Sequence, residues 1–203
     1  MLSFSASSIG ALKRKYHLWG MPLRYTFSLG PIQVAVWKIE EDEADLWENT
    51  PLSTADFEHL RRISHSRRRI ESLAARAALA KLPPYPFRSL SHSFPWAAAA
   101  TAPHPIAIDL ETRRHFPERV QNYFTQPDEQ ELFLSKNKTF WHAWCSKEVA
   151  YKLLCQEFSE MSFKREMHFD GEQVVFSRGE VQRRIMLRFV ETGEWLLAVG
   201  SFA

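Results

Sequence analysis

Acidic residues are missing from the first 39 positions of this 203-residue chain, cysteine occurs only twice, and no apolar run reaches the roughly 18 residues of a membrane-spanning helix. The two cysteines, Cys145 and Cys155, stand ten apart in one expected helix. At a rise of about 1.5 Å per residue they lie roughly 15 Å apart, too far for a disulfide. Their spacing matches no metal motif, so they read as small core residues in a reducing compartment, and the chain as cytoplasmic. No Gly-x-Ser-x-Gly elbow occurs, which argues against a Ser/His hydrolase. With 7 glycines and 11 prolines, the composition is not that of a disordered chain. The net charge of +2 gives no global pull toward nucleic acid or membrane, so any anion site must be local. The acid-free start, with Lys13, Arg14 and Lys15, fits an organelle presequence or an upstream start codon with Met21 as the true first residue. A strand-like run at Gln33–Trp37 soon after Met21 favours the second, and residues 1–23 are set apart as an extra N-terminal segment.

The chain is 45% hydrophobic and 25% charged, enough for a core in one large domain or two small ones. Ser53-Thr-Ala-Asp56 resembles a capping box and opens a helical stretch, with a possible break at Ser64-His-Ser66 and a stop at Leu82-Pro-Pro84. Strand-like runs follow at Ser89–Ser93, Trp96–Thr101 and Ile106–Leu110. Short helices are expected at Arg119–Phe124 and Asp128–Leu134, and a long one at Lys138–Gln156. Strands return at Gln173–Ser177, Arg184–Val190 and Trp195–Phe202. This order reads as α+β, organised as two halves, 24–103 and 104–203.

Four groups of residues carry chemistry. In Ile106-Ala-Ile-Asp109-Leu-Glu111, two carboxylates at i and i+2 share one face of a strand; a hard cation such as Mg²⁺ between them relieves their repulsion. On the long helix Trp141, Trp144, Glu148, Lys152 and Cys155 step by three and four, which puts a Glu/Lys pair on an aromatic stripe. A charged pair on an apolar face must be paired or coordinated. Arg62, Arg69 and Arg76 recur at seven-residue spacing and form a stripe suited to phosphate if one helix spans them, with Arg67 and Arg68 adding local charge. Ser89-Leu-Ser91-His92-Ser93 alternates hydroxyls with an imidazole that can donate to a phosphate. A nucleic-acid binder using Arg61–Arg69 is a weak alternative, because no aromatics interleave with the charges.

Three of these motifs, Ser-Leu-Ser-His-Ser (89–93), Ile-Asp-Leu-Glu (108–111) and Trp-Cys-Ser-Lys-Glu-Val-Ala-Tyr-Lys (144–152), stand in the order in which they resemble the 4′-phosphopantetheinyl transferase superfamily, of the long, pseudo-dimeric type. The likeness runs from about Val34 to the C-terminus. Arg69-Ile-Glu-Ser-Leu-Ala-Ala-Arg76 also resembles the family's first helix. The resemblance implies a fold of two similar α/β halves with the coenzyme cleft between them. It implies transfer of 4′-phosphopantetheine from coenzyme A to a serine of an acyl or peptidyl carrier protein, releasing 3′,5′-ADP. Asp109, Glu111 and Glu148 would hold Mg²⁺, Lys152 would contact the pyrophosphate or protonate the leaving group, and Glu148 or a metal-bound water would take the serine proton. Arg62 and His92 would hold the 3′-phosphate, with Arg76 and Ser91 as further coenzyme contacts. Partners would be coenzyme A and an apo carrier protein, not nucleic acid or membrane, and the chain would be a monomer. Two departures stand out: Ala107 replaces a usual glycine, and Leu82–Arg88 has no Gly-Lys-Pro. The alternative is a coenzyme-A- or carrier-binding module that has lost transfer.

Overall fold

The computed structural model describes residues 23–113, 116–135 and 138–203; the basic cluster at Lys13–Lys15 and the start considered at Met21 lie outside the described residues. The chain is mixed α+β with two antiparallel sheets, and it divides into two compact units between Pro103 and His104.

In the first unit, strands β1 (Leu23–Leu29), β2 (Ile32–Lys38), β3 (Phe87–Ser93) and β4 (Trp96–Ala102) form a sheet in the order β1-β2-β4-β3. Helices α1 (Glu43–Asn49), α2 (Thr54–Arg61) and α3 (Ser66–Leu79) separate β2 from β3. β4 is buried throughout, and its Ala97 and Ala99 share a core with Ala74, Ala75, Ala77 and Ala78 of α3. Alanine facing alanine lets the helix axis lie close to the sheet. Ser53 caps α2, its hydroxyl accepting from Asp56 N at 3.1 Å.

The break weighed at Ser64-His-Ser66 is there, so the stripe of Arg62, Arg69 and Arg76, which needed one continuous helix, does not form: α2 ends at Arg61, and α3 starts at Ser66. α3 opens on Ser66, Arg67 and Arg68, with no acid in its first turn to meet the helix dipole. Glu43 of α1 supplies one, accepting from the Ser66 hydroxyl at 2.5 Å and from the Arg69 guanidinium. The Arg69 and Ser66 hydrogen bonds hold the Glu43 carboxyl down at about 2. Arg69 also donates to Ile63 O at 2.6 Å, which closes the turn between the helices.

The second unit orders its sheet β5-β9-β8-β7-β6, from β5 (Ile106–Thr112), β6 (Met167–Phe169), β7 (Gln173–Arg178), β8 (Val181–Glu191) and β9 (Trp195–Phe202). Helices α4 (Glu118–Phe124), α5 (Pro127–Ser135) and α6 (Phe140–Leu154) lie between β5 and β6 in sequence. Ala143, Val149, Ala150 and Leu154 of α6 share a core with Ala107, Leu196 and Ala198 of the sheet. The approach is closest at Gly200, where a Cβ would lie 2.5 Å from Val149 Cγ1. Thr139 and His142 cap α6 reciprocally, with His142 Nδ1 accepting from Thr139 N at 3.1 Å. That acceptor role needs an uncharged ring. Burial first, then the Lys138 and Arg113 charges, lowers His142 to about 4.

A fully buried ion pair fixes α6 against its surroundings. Lys147 Nζ sits 2.7 Å from Glu129 Oε1 of α5, with both side chains 0% exposed, and donates to Phe124 O at 2.7 Å. Glu129 also accepts from Phe169 N at 2.7 Å and Gln126 N at 2.6 Å. Burial pushes the Lys147 ammonium below its ordinary value, and the Glu129 carboxylate works against that push. Cys145 is buried as expected, but Cys155 is exposed at the end of α6, where the helix leaves the core.

Removing one partner of this pair leaves a buried charge uncompensated. Lys147→Met is expected to lower stability by about 3–5 kcal/mol, read as the shift in a urea unfolding midpoint.

Candidate functional site

Asp109 and Glu111 lie on β5 opposite Ala198 and Leu196 of β9, the residues that pack toward α6. Both carboxylates therefore face the helix. Asp109 is 5% exposed. Its Oδ1 accepts from Lys152 Nζ at 2.8 Å, and the same ammonium donates to Ile108 O at 2.9 Å. The Cys145 thiol also hydrogen-bonds Asp109; burial, followed by the Asp109 and Glu111 charges, pushes that thiol well above its ordinary value. Cys145 is thus a neutral donor beside the carboxylate rather than a nucleophile. Glu111 Oε1 accepts from the Trp144 indole at 3.2 Å. Trp144 packs on the rings of Phe124, centroids 4.4 Å apart, and Phe116, 5.7 Å apart.

Glu148 is half-buried one turn before Lys152. Burial, then the Asp109 charge, raises its carboxyl to about 7; Lys152 opposes the shift and Glu111 adds to it. Lys152 spends its ammonium on Asp109 and not on an i,i+4 bridge to Glu148. Three carboxylates and one ammonium thus share one neighbourhood within the second unit.

Among the described residues no group of three His, Cys, Asp or Glu side chains stands together as a ready metal cage. Lys152 takes Asp109 and the Trp144 indole takes Glu111. The donor set still suits a hard cation, because its oxygens are carboxylates and its negative charge exceeds the single ammonium. Mg²⁺ fits this chemistry, with Lys152 standing on Asp109 as the resident positive charge.

The aromatic stripe of α6 is half-buried at Trp141, Trp144, Glu148 and Lys152, and its fully buried side runs through Ala143, Val149, Ala150 and Leu154. Trp141 and Trp144 pack against the core.

The remaining expected site residues lie in the first unit. Arg62 is exposed just past α2, and no hydrogen bond or ion pair reaches its guanidinium among the described residues. Arg76 is engaged: it donates to Asp56 Oδ1 and Ser72 Oγ, both at 2.7 Å. Burial works to raise the Asp56 carboxyl, but the Ser53 hydroxyl, the Arg76 guanidinium and the Arg88 charge hold it below its ordinary value. Ser91 is buried opposite Ala98, whereas His92 pairs with Ala97 on the face toward α3, so the two do not share a face. His92 Nδ1 lies 3.3 Å from Glu71 Oε2 of α3.

Sequence reasoning missed Glu71, Glu129 and the roles of Lys147 and Cys145. Glu71 had a signal: it is the one acidic residue between Glu58 and Asp109. Glu129 had none, because its partner lies 18 positions away.

The raised Glu148 carboxyl sets a pH dependence. An unfolded glutamate ionises near 4.5 and the folded one near 7, so between these values the folded state holds the extra proton. Stability therefore falls as pH rises through about 4.5 to 7, and the loss is complete above that window. Glu148→Gln removes the loss. Melting curves should show the variant gaining on the wild type between pH 5 and pH 8, in the absence of divalent ions.

A scan of the chain against models of known protein families finds no match, and a search of curated proteins finds no significant relative.

Proposed function

We propose that this chain transfers 4′-phosphopantetheine from coenzyme A to a serine of an acyl or peptidyl carrier protein, in the cytoplasm and with Mg²⁺. The observation that carries the reading is the half-buried Asp109–Lys152 contact, with Glu111 and Glu148 charge-coupled to it across the β5–α6 packing. The two α+β units, each a sheet with its longest helix against it, are compatible with the long form of such a transferase.

Asp109, Glu111 and Glu148 would hold the cation, which when bound supplies Lewis-acid charge stabilisation at a pyrophosphate. The chain's own residues account for the proton and the anion. The carrier serine Oγ forms a bond to the β-phosphorus of coenzyme A as the bond from that phosphorus to the oxygen of 3′,5′-ADP breaks. Glu148 would accept the serine proton as the general base. Lys152 carries positive charge beside the same carboxylates and can neutralise or protonate the departing phosphate. Trp144 holds Glu111 in place through its indole N–H.

Arg69 and Arg76 hold carboxylates of α1 and α2, so they are structural first. Exposed Arg62 and half-buried His92 remain for the 3′-phosphate, and Arg76 could meet the coenzyme only by sharing its charge with Asp56. This occupancy, with the absent Gly-Lys-Pro, is what favours the second reading, a coenzyme- or carrier-binding module without transfer.

Mass spectrometry of an apo carrier protein incubated with the chain, coenzyme A and Mg²⁺ decides between the two. The transferase reading expects a gain of one phosphopantetheinyl group, absent in EDTA. Glu148→Gln should lower kcat by about 10²–10⁴-fold. An unmodified carrier, with coenzyme A still bound by the chain, establishes the second reading instead.

A further inference from the structure

We propose that Glu71 is the positioning residue that aims His92 at the 3′-phosphate of the donor, and so sets preference for a 3′-phosphorylated nucleotide. The inference rests on the coenzyme A reading and names a residue that neither the motifs nor that reading assigns.

Glu71 is 9% exposed and sits on the sheet-facing side of α3, amid Ser72, Leu73, Ala74 and Ala75, all buried. A carboxylate in such a place needs partners. It has three: His92 Nδ1 at 3.3 Å from Oε2, Phe94 N donating to Oε1 at 3.2 Å, and Arg67 Nε at 3.6 Å from Oε1. Burial works to raise its carboxyl, but the His92 hydrogen bond and charge, the Arg67 charge and the Phe94 N–H outweigh it. Glu71 is thus held as a carboxylate, an acceptor only.

The consequence falls on the imidazole. In the imidazolium both ring nitrogens donate: Nδ1–H goes to Glu71, which fixes the ring's rotation, and Nε2–H is left for a phosphate oxygen. The His92 side chain is 31% exposed, against 12% for Glu71, so the pair runs from a covered carboxylate to an open ring. Glu71 is anchored at both ends, by α3 below and by the Phe94 N–H that closes β3. Arg67 stacks 4.4 Å from the Phe94 ring centroid and braces the same corner from the solvent side. This differs from Arg69 and Arg76, whose guanidinium groups are consumed by Glu43 and Asp56. Here the carboxylate engages one ring nitrogen and leaves the other.

The test is calorimetric binding of adenosine 3′,5′-bisphosphate and of adenosine 5′-monophosphate to the full chain, which needs no transfer activity. The wild type should prefer the bisphosphate by about tenfold or more, the value of one charge-assisted contact. Glu71→Gln keeps an acceptor for Phe94 N but loses the charge; it should lose most of that preference while its affinity for the monophosphate is unchanged. His92→Gln should lose the same preference, and the double variant should lose no more than either single one. In turnover, Glu71→Gln should raise KM for coenzyme A, with kcat and the KM for dephospho-coenzyme A little changed. A wild type without preference defeats the placement of the phosphate at His92. A wild type with preference that Glu71→Gln retains overturns the role of Glu71. If Glu71→Gln does not fold, Glu71→Asp decides, since pulling the carboxylate back by one methylene must cut the preference several-fold and an unchanged ratio overturns the proposal. Preserved preference losses in a chain that never modifies a carrier sink the transfer reading and leave Glu71 in its role.

Discussion

The Lys147–Glu129 pair is the constraint on which the second unit depends. One carboxylate, with no exposed surface, accepts from an ammonium on α6 and from backbone N–H groups at Gln126 and Phe169. Through Lys147 the same hub reaches the last turn of α4 at Phe124 O. Three helices and an edge strand therefore share two buried side chains. An ion pair taken wholly out of water adds little net stability over apolar packing, but it tolerates few alternative arrangements, because any other would strand a charge. Lys147 immediately precedes Glu148. Fixing the rotation of α6 at Lys147 fixes which way Glu148 and, one turn later, Lys152 face.

The second constraint is the close approach of α6 to β9 at Gly200, which sets how near the helix comes to the carboxylates of β5. Asp109 and Glu111 then meet a helix face that carries both a thiol and an ammonium. In this arrangement negative charge is in excess and is managed locally. Lys152 neutralises Asp109, the Trp144 indole satisfies Glu111, and Glu148 answers the remaining repulsion with a raised carboxyl.

Much of this was legible in the sequence because the signals were local. The alternation Ala107–Asp109–Glu111 put the carboxylates on one face of a strand, and the Glu148–Lys152 spacing put those two on one side of a helix. The longer strands and the Ser53 cap were readable for the same reason. What was not legible depended on tertiary partners. β1 was legible, since Leu23, Tyr25, Phe27 and Leu29 alternate with Arg24, Thr26 and Ser28, and it was passed over; α1, by contrast, has seven residues and is held by what it packs against. β6 has only three residues and is defined by its ladder with β7. The stripe of arginines at seven-residue spacing held only for one continuous helix, and the break read at Ser64-His-Ser66 divides it: α2 ends at Arg61 and α3 starts at Ser66.

The first unit shows what replaces that stripe. α3 presents basic residues at its own N-terminus, where the helix dipole disfavours them, and the chain resolves the conflict by bringing in acids from elsewhere. Glu43 from α1 meets that conflict by taking Ser66 and Arg69. Asp56 from α2 takes Arg76 in the last turn of α3, so each short helix delivers one carboxylate to α3 besides its buried leucine, Leu46 or Leu60. Glu71 reverses the pattern, since α3 itself supplies the acid and the sheet supplies the base. Two of the three pairs therefore consume a cation to build the fold, while the third uses a buried anion to orient a ring that stays open. A count of arginines would have placed anion binding along α3; the pairing of charges is why we propose the His92 corner instead, where the partner is held but not used up.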